Sequence, residues 1–216
     1  SRQKQDEYAI QSYERSNFAI ENGYFDNEIC SVEVKSKKNT LTINKDEEPL
    51  KFNKDKILSL RPAFEKEGTI TAANASSLSD GAASVFLASE DYIKKNNIKP
   101  IAKIVSHASY AAEPVYFTKA PVYAIEKVLK RADININKID LFEINEAFSC
   151  VAMFAIDELG ISIDKVNVNG GAVSLGHPIG ASGTRIFVTL LNALIEKNLK
   201  YGIDKNRCVN VHIPDR

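Results

Sequence analysis

The sequence predicts a layered α/β fold. Two observations predict it: strand-like and helix-like segments alternate regularly beyond Gly68, and the helical segments carry apolar residues at helical spacing. At 216 residues, with 44% hydrophobic and 26% charged residues, the chain is long enough to bury a substantial core.

The N-terminal part has a different pattern. Residues 2–22 form an amphipathic helical pattern that ends at Gly23. Segments 30–35 and 40–44 alternate apolar and polar residues, as half-buried strands do, and residues 46–56 are polar and irregular.

Beyond Gly68, local signals mark the elements. Ser89 is placed to cap a short helix, Pro121 lies in the first turn of another, and the apolar segment IDLFEI predicts a buried strand. We expect strands at 80–88, 101–109, 139–144 and 166–169, and helices at 89–96, 121–131, 148–159 and 182–197.

Composition excludes several classes of protein. Lys plus Arg and Asp plus Glu both number 28, so no basic field favours nucleic acid, and no apolar run approaches the roughly 18 residues of a membrane span. Three cysteines without metal spacing indicate a reducing compartment rather than disulfides or zinc. Ser1 is followed at once by a helical pattern, which predicts a chain that begins within a domain.

The segment NVNGGAVSLGHPIGASG, residues 167–183, holds five of the ten glycines around His177. It lacks the Lys-Ser/Thr of a P-loop, and the sequence has no GxGxxG, so a nucleotide-phosphate loop is excluded. Pro178 keeps His177 out of the helical region, while Gly176 and Gly180 let main chain pass close to what the ring faces. His177 is therefore either a positioned base, oxyanion donor or metal ligand, or a satisfied loop histidine among glycines that serve packing.

Asn145 begins the sequence NEAF, directly after the predicted strand IDLFEI. Open α/β sheets place ligand sites at such strand ends. Asn145 either caps the following helix or points its amide at a water or a substrate oxygen. In the second case, Asn145 and His177 converge on one crevice.

These two motifs together resemble the thiolase family, the enzymes that make or cleave 3-ketoacyl-CoA. The resemblance extends over almost the whole chain, through SRQKQDEYAIQSYERS, LRPAF and TITAANASSLSDGAA. The segments TAANAS and APVYA most resemble mitochondrial-type acetoacetyl-CoA thiolases. The resemblance implies a mixed sheet flanked by helices, with residues 1–75 in a CoA-binding loop domain and residues 76–216 in the C-terminal domain.

The resemblance also implies roles for single residues. His177 would activate a cysteine thiol and help form an oxyanion hole, and Asn145 would hold the water that completes it. Coenzyme A would be substrate and product, with no catalytic cofactor. CoA contacts would come from Tyr13, Lys51, Asn53, Lys56, Phe64 and Ser76, although the lysines also fit a solvated surface. A potassium ion would be surrounded by Tyr13, Ala72, Ala73, Ala75 and Val173.

Part of the family pattern is missing. The nucleophilic cysteine belongs to an N-terminal half that these residues lack, and we expect Cys30 and Cys150 to be packing residues. Cys208 lies where the proton-transfer cysteine of a CxGGG turn is expected, but Val209, Asn210 and Val211 replace the glycines. Cys208 is thus either that cysteine or part of a divergent tail, and the last strand is expected to be missing or divergent.

We therefore interpret the chain as the C-terminal part of an acetyl-CoA C-acetyltransferase that is inactive alone. The alternatives are a non-catalytic acyl-CoA-binding or lipid-carrier relative, a 3-ketoacyl-CoA thiolase of broader chain length, and one subunit of a hetero-oligomer. Expected partners are acetyl-CoA and acetoacetyl-CoA, with no nucleic acid or membrane. We expect the intact protein to be a homo-oligomer in the mitochondrion or cytoplasm and not to be secreted.

Overall fold

The computed structural model describes residues 1–37, 39–205 and 209–214. Helices and strands alternate as predicted from residue 90 to residue 159, whereas two α-helices and then two strands follow one another beyond it. The helices are α1 (Arg2–Glu21), α2 (Lys54–Ser59), α3 (Glu90–Lys95), α4 (Ala120–Ala132), α5 (Ser149–Leu159), α6 (Ala172–Leu175) and α7 (Ser182–Glu196). The strands are β1 (Val32–Lys35), β2 (Thr40–Ile43), β3 (Lys103–His107), β4 (Leu141–Glu143), β5 (Tyr201–Asp204) and β6 (Val209–His212).

Among the described residues, the main sheet has four strands in the order β3-β6-β5-β4. Strands β4 and β5 are parallel, whereas β6 runs antiparallel to both β5 and β3. The sheet is therefore mixed. Strand β6 follows Cys208 directly, so the segment in which we expected a missing or divergent last strand contains a central strand of this sheet.

Helices cover both faces of the sheet, which confirms the layered α/β fold. On one face, α4 and α5 pack Ile125, Val128 and Ala152 against Phe142 of β4. On the other face, α7 packs Leu190 and Leu194 against neighbouring strands. Each fully buried side chain of this kind contributes about 1.5–3 kcal/mol of transfer free energy, so the sheet is held mainly by these two apolar layers.

Two predicted strands do not form. Residues 80–88 have no regular secondary structure, and Phe86 and Leu87 are exposed. No strand among the described residues pairs with this segment, and without a partner its run of small and apolar residues cannot make a ladder. In segment 166–169, only Val166 forms a bridge, to Phe142, because Asn167 has a left-handed backbone with φ of 47°.

The hairpin β1–β2 corrects another expectation. The two strands pair antiparallel from Val32↔Ile43 to Lys35↔Thr40, but their side chains are exposed on both faces, apart from a partly buried Ile43. The alternation of the sequence therefore does not mark a half-buried sheet. Over the described parts of the chain, we find no helix with the length and apolar character that crossing a bilayer requires.

Candidate active site

His177 lies in the loop between α6 and α7, and three contacts fix it. Its backbone N–H donates to the carbonyl of Ser77 at 2.9 Å. Its Nδ1 lies 2.6 Å from Oγ of Ser182, at the start of α7, and its Nε2 lies 3.4 Å from Nδ2 of Asn145. The predicted convergence of Asn145 and His177 is therefore present in the structure.

Asn145 lies two residues after the end of β4 and is nearly buried, with 8% of its surface exposed. It does not cap α5, because the N-cap position is occupied by Phe148, which makes no side-chain hydrogen bond there. Its Oδ1 is buried and has no hydrogen-bond partner among the described residues. The amide is thus aimed at the histidine ring and keeps one acceptor for a further polar group.

The surroundings of His177 favour its neutral form. Burial lowers the pKa of the imidazole below its usual 6.5, and the positive charge of Arg185 lowers it further. A neutral ring near pH 7 has a free lone pair on one nitrogen and can accept a proton.

A buried carboxylate, Glu146, organises the backbone around this pair. Its Oε1 accepts hydrogen bonds from Tyr8 Oη at 2.8 Å and from Asn167 Nδ2 at 2.7 Å. Its Oε2 accepts from Ser12 Oγ at 2.8 Å and from the backbone N–H of Val173 at 3.1 Å. Glu146 therefore joins α1, the NEAF turn and the glycine-rich loop in one network.

The glycines have unequal roles in this packing. A Cβ on Gly171 would lie 2.3 Å from the carboxyl carbon of Glu146, and one on Gly176, which has a φ of 89°, would lie 2.2 Å from Ser79 Oγ. A Cβ on Gly180 would meet no atom of the described residues within 4 Å. Close packing within the described part of the chain therefore requires Gly171 and Gly176 but not Gly180.

A group of buried and partly buried ionisable side chains interacts electrostatically with Arg185. Burial raises the pKa of Glu143 well above its usual value, and it also raises the pKa values of Glu28 and Asp46. Glu28 accepts hydrogen bonds from Thr189 at 3.0 Å and from the Asn192 side chain at 3.1 Å. The three guanidinium nitrogens of Arg185 have no hydrogen-bond partner among the described residues. Arg185 acts on this region through its charge at a distance.

The residues expected to contact CoA lie in different settings. Ser76 donates its hydroxyl to the carbonyl of Ala147 at 3.1 Å, and Phe64 is 74% exposed with its ring edge-on to Phe148. Both therefore border the NEAF turn.

The polar members of that set lie on and before α2, close to α1. Lys51 bonds to Glu48, and Asn53 uses its side chain to cap α2 by accepting from the N–H of Lys56 at 3.0 Å. Lys51 and Lys56 are exposed, and Tyr13 stacks on Phe52. The capping bond gives Asn53 a structural role irrespective of any ligand.

The residues expected around a potassium ion have a shared property. Within the described residues, no hydrogen bond is accepted by the carbonyl oxygens of Ala72, Ala73, Ala75 or Val173. Tyr13 is partly buried, and burial together with the charge of Glu48 raises the pKa of its hydroxyl. Carbonyl and hydroxyl oxygens are the donors that a hard cation takes. Among the described residues, no group of three or more His, Cys, Asp or Glu could hold a metal ion.

The cysteines divide into three cases. Cys208 lies outside the described residues, so its predicted role stays a prediction. Cys30 is exposed, and our expectation that it packs in the interior is wrong. Cys150 is partly buried on α5, which agrees with a packing role, and burial raises the pKa of its thiol.

Sequence reasoning missed the part that α1 and Glu146 play. The signal was present, since Tyr8 and Ser12 are four residues apart on one helix, and Glu146 is a charged residue inside an apolar context. Nothing local connects residues that lie 138 and 134 positions apart.

The fold and this pair define a layered α/β protein with a preformed imidazole–amide site. Comparison with known sequences then places the chain. Residues 1–91 match the thiolase N-terminal domain, and residues 98–210 match the thiolase C-terminal domain. The chain belongs to the thiolase family.

Particular relatives agree with this assignment. An acetyl-CoA acetyltransferase of Yarrowia lipolytica is 52% identical over 203 residues, which cover 94% of this chain and 51% of that protein. The crystal structure of Bacillus anthracis acetyl-CoA acetyltransferase matches with a TM-score of 0.95 and 37% identity, over 99% of this chain and 56% of that one. The Acat5 thiolase of Ascaris suum, solved in complex with coenzyme A, matches with a TM-score of 0.87 and 36% identity, over the same shares. The chain spans about half the length of the curated relatives it matches.

Proposed function

We propose that this chain contributes the histidine–asparagine part of the active centre of an acetyl-CoA C-acetyltransferase. The observation that carries the proposal is the 3.4 Å approach of Asn145 Nδ2 to His177 Nε2, in surroundings that keep the ring neutral. The names of the relatives support the substrate class, since several are acetyl-CoA acetyltransferases.

The first half of the reaction needs a thiol. His177 Nε2 accepts the proton of a cysteine supplied by polypeptide outside these 216 residues, and the thiolate attacks the thioester carbonyl of the first acyl-CoA. A carbon–sulfur bond forms and the carbonyl oxygen becomes an oxyanion, which accepts hydrogen bonds from Nε2–H and from a water held by Asn145. Collapse breaks the bond to the CoA sulfur, which leaves and takes the proton.

The second half makes a carbon–carbon bond. Cys208 is the residue we assign to removing a proton from the α-carbon of a second acetyl-CoA. The resulting enolate attacks the acyl-enzyme carbonyl, acetoacetyl-CoA forms, and the nucleophilic cysteine departs as a thiolate. Thiolysis is the same sequence in reverse.

We also propose the CoA contacts that the resemblance implies. Phe64 and Ser76 border the NEAF turn and would line the path of the pantetheine arm. Lys51 and Lys56, with Asn53 and Tyr13 nearby, would face the nucleotide end, where ammonium groups attract phosphate. The complex of the similar Ascaris suum thiolase with coenzyme A supports CoA as the ligand.

We also propose a potassium site at the carbonyl oxygens of Ala72, Ala73, Ala75 and Val173, which accept no hydrogen bond from the described residues. It would order the loop that carries Ser76, and it takes no part in the chemistry. The test is a titration with KCl, with NaCl at equal ionic strength as the control. Thermal stabilisation by potassium beyond that of sodium supports the site.

The activity is tested in a chimera in which these 216 residues replace the matching half of the Yarrowia lipolytica relative. We expect thiolysis of acetoacetyl-CoA by free CoA in the chimera and none in the isolated chain, because the nucleophile is absent from the latter. Turnover by the isolated chain would contradict its predicted inactivity. A chimera that folds, as judged by circular dichroism and gel filtration, yet shows no turnover would contradict the function.

The same experiment separates the alternatives. A folded chimera that binds CoA without turnover would favour a binding-only relative, and turnover that rises with acyl length would favour a 3-ketoacyl-CoA thiolase of broader range. We further propose that the intact protein is a homo-oligomer, which light scattering of the chimera tests. Relatives named as cytosolic, from Gibberella zeae, and mitochondrial, from Bos taurus, support either compartment.

A further inference from the structure

Ser182 lies at the first position of α7 and is fully buried. The turn that precedes it is closed by the carbonyl of Pro178, which accepts the backbone N–H groups of Ala181 at 2.7 Å and Ser182 at 2.8 Å. This turn brings the Ser182 hydroxyl to 2.6 Å from His177 Nδ1. The same hydroxyl lies 3.0 Å from the carbonyl oxygen of Pro178.

The contacts of Ser182 favour one placement of the hydrogens. A carbonyl oxygen only accepts hydrogen bonds, so the bond between Ser182 and Pro178 forms when the single hydroxyl hydrogen is directed to Pro178. The Ser182 oxygen then presents a lone pair to His177, and Nδ1 carries the hydrogen of the bond between them.

The contact on the other side of the ring is consistent with this placement. With the Asn145 amide nitrogen facing Nε2, Asn145 donates and Nε2 presents its lone pair. Contacts at both nitrogens thus agree on one tautomer, with hydrogen on Nδ1 and none on Nε2.

We propose that Ser182 is a positioning residue that holds His177 in the Nδ1–H tautomer and leaves Nε2 free to accept a proton. Its catalytic meaning rests on the proposed function: after Nε2 takes the thiol proton, Nδ1–H still donates to Ser182, so the charged ring keeps its orientation. The same Nε2–H can then donate to the oxyanion without rotation of the ring.

The opposite arrangement has a clear signature. If Ser182 donated its hydroxyl to Nδ1, the hydrogen would lie on Nε2, the Asn145 amide would be reversed, and the ring could not act as a base through that nitrogen. The two tautomers differ in the ¹⁵N chemical shifts of the ring nitrogens, which report protonation at each site.

The test is NMR of the 216-residue chain labelled with ¹⁵N-histidine, with His177 assigned from the spectrum of His177→Gln. At a pH where the ring is neutral, about pH 8, we expect a protonated-type shift for Nδ1 and an unprotonated-type shift for Nε2. The reverse pattern in the wild-type chain would overturn the proposal.

Two variants assign the effect to Ser182. Ser182→Ala should move the tautomer ratio toward Nε2–H by about fivefold, the effect of one net hydrogen bond, whereas Ser182→Thr should keep the wild-type ratio. A Ser182→Ala chain with an unchanged ratio would overturn the role of Ser182. If that variant does not fold, the wild-type and Ser182→Thr spectra test the proposal, and a tautomer ratio in Ser182→Thr that differs from the wild-type ratio would overturn the role of Ser182. These spectra need no substrate, so an inactive chimera would count against the proposed function alone.

Discussion

The carboxylate of Glu146 occupies the space that a side chain on Gly171 would need. A Cβ built on Gly171 would lie 2.3 Å from the carboxyl carbon and 2.5 Å from either oxygen. Glu146 itself is 1% exposed and accepts four hydrogen bonds, two from α1 and two from the glycine-rich segment 167–183. The position of the glycine-rich segment 167–183 is therefore coupled to the buried Glu146 side chain. Glu146 lies two residues before Phe148, the N-cap residue of α5.

Gly171→Ala should lower the free energy of unfolding by about 3 kcal/mol, because the new methyl group displaces a hydrogen-bonded carboxylate. Gly180→Ala is the matched control, since its Cβ meets no atom within 4 Å and its φ is not in the positive region. We expect that control to change stability by no more than about 1 kcal/mol. Urea denaturation measures the free energy of unfolding of both variants. An effect of Gly171→Ala as small as that of Gly180→Ala would show that the packing at Gly171 is not tight.

Tyr8→Phe should lower the free energy of unfolding by about 1.5–3 kcal/mol, because it removes a buried donor to the Glu146 carboxylate. Tyr92→Phe, at an exposed position of α3, should be neutral within about 0.5 kcal/mol. The comparison uses urea unfolding at pH 7 followed by circular dichroism. A neutral Tyr8→Phe would mean that α1 does not depend on this bond.

Glu143→Gln should stabilise the chain increasingly as the pH rises above 4.5. Burial raises the folded-state pKa of Glu143, so the folded state keeps a proton that the unfolded state releases above 4.5, its ordinary value. The penalty is absent below that pH and grows until the folded-state pKa is reached, and glutamine has no such penalty.

Unfolding curves of Glu143→Gln and wild type at a series of pH values measure this difference. Glu158→Gln, at an exposed position of α5, controls for the loss of a carboxylate as such. A stability difference that stays constant with pH would show that Glu143 is not shifted as described.

Phe86→Ala should leave stability unchanged within about 0.5 kcal/mol, because the side chain is fully exposed in this chain. Phe142→Ala, whose ring is 1% exposed between α4, α5 and the sheet, should cost about 3–5 kcal/mol. The two phenylalanines thus test whether segment 80–88 is packed. A large effect at Phe86 would restore the strand predicted there.

Sequence patterns predicted the features that depend on local information. The order of helices and strands from residue 90 follows from periodicity and caps, as at Ser89, whose hydroxyl accepts from the N–H of Tyr92. Asn145 and His177 could be identified because each follows a strand or loop of recognisable type.

Features that depend on distant partners could not be predicted. The run of small and apolar residues in segment 80–88 is compatible with a strand, but no strand among the described residues pairs with it. The VNVN segment is apolar enough for a strand, yet Asn167 turns left-handed and uses its side chain to bond the backbone N–H and carbonyl of Ile144 at 2.7 and 2.8 Å. The bonds that Tyr8 and Ser12 make to Glu146 join residues 138 and 134 positions apart, and no local pattern connects such positions.

The central claim is that His177 activates a thiol for acyl transfer, and acetylation of the chimera tests it most directly. The chimera with the Yarrowia lipolytica half is incubated with acetyl-CoA, and intact-mass spectrometry follows the gain of one acetyl group at the nucleophilic cysteine. We predict rapid acetylation in the wild-type chimera and a decrease of about 100-fold or more in its rate in His177→Gln, because general base catalysis contributes about 10²–10⁴-fold. Equal acetylation rates in a folded His177→Gln chimera would contradict the account.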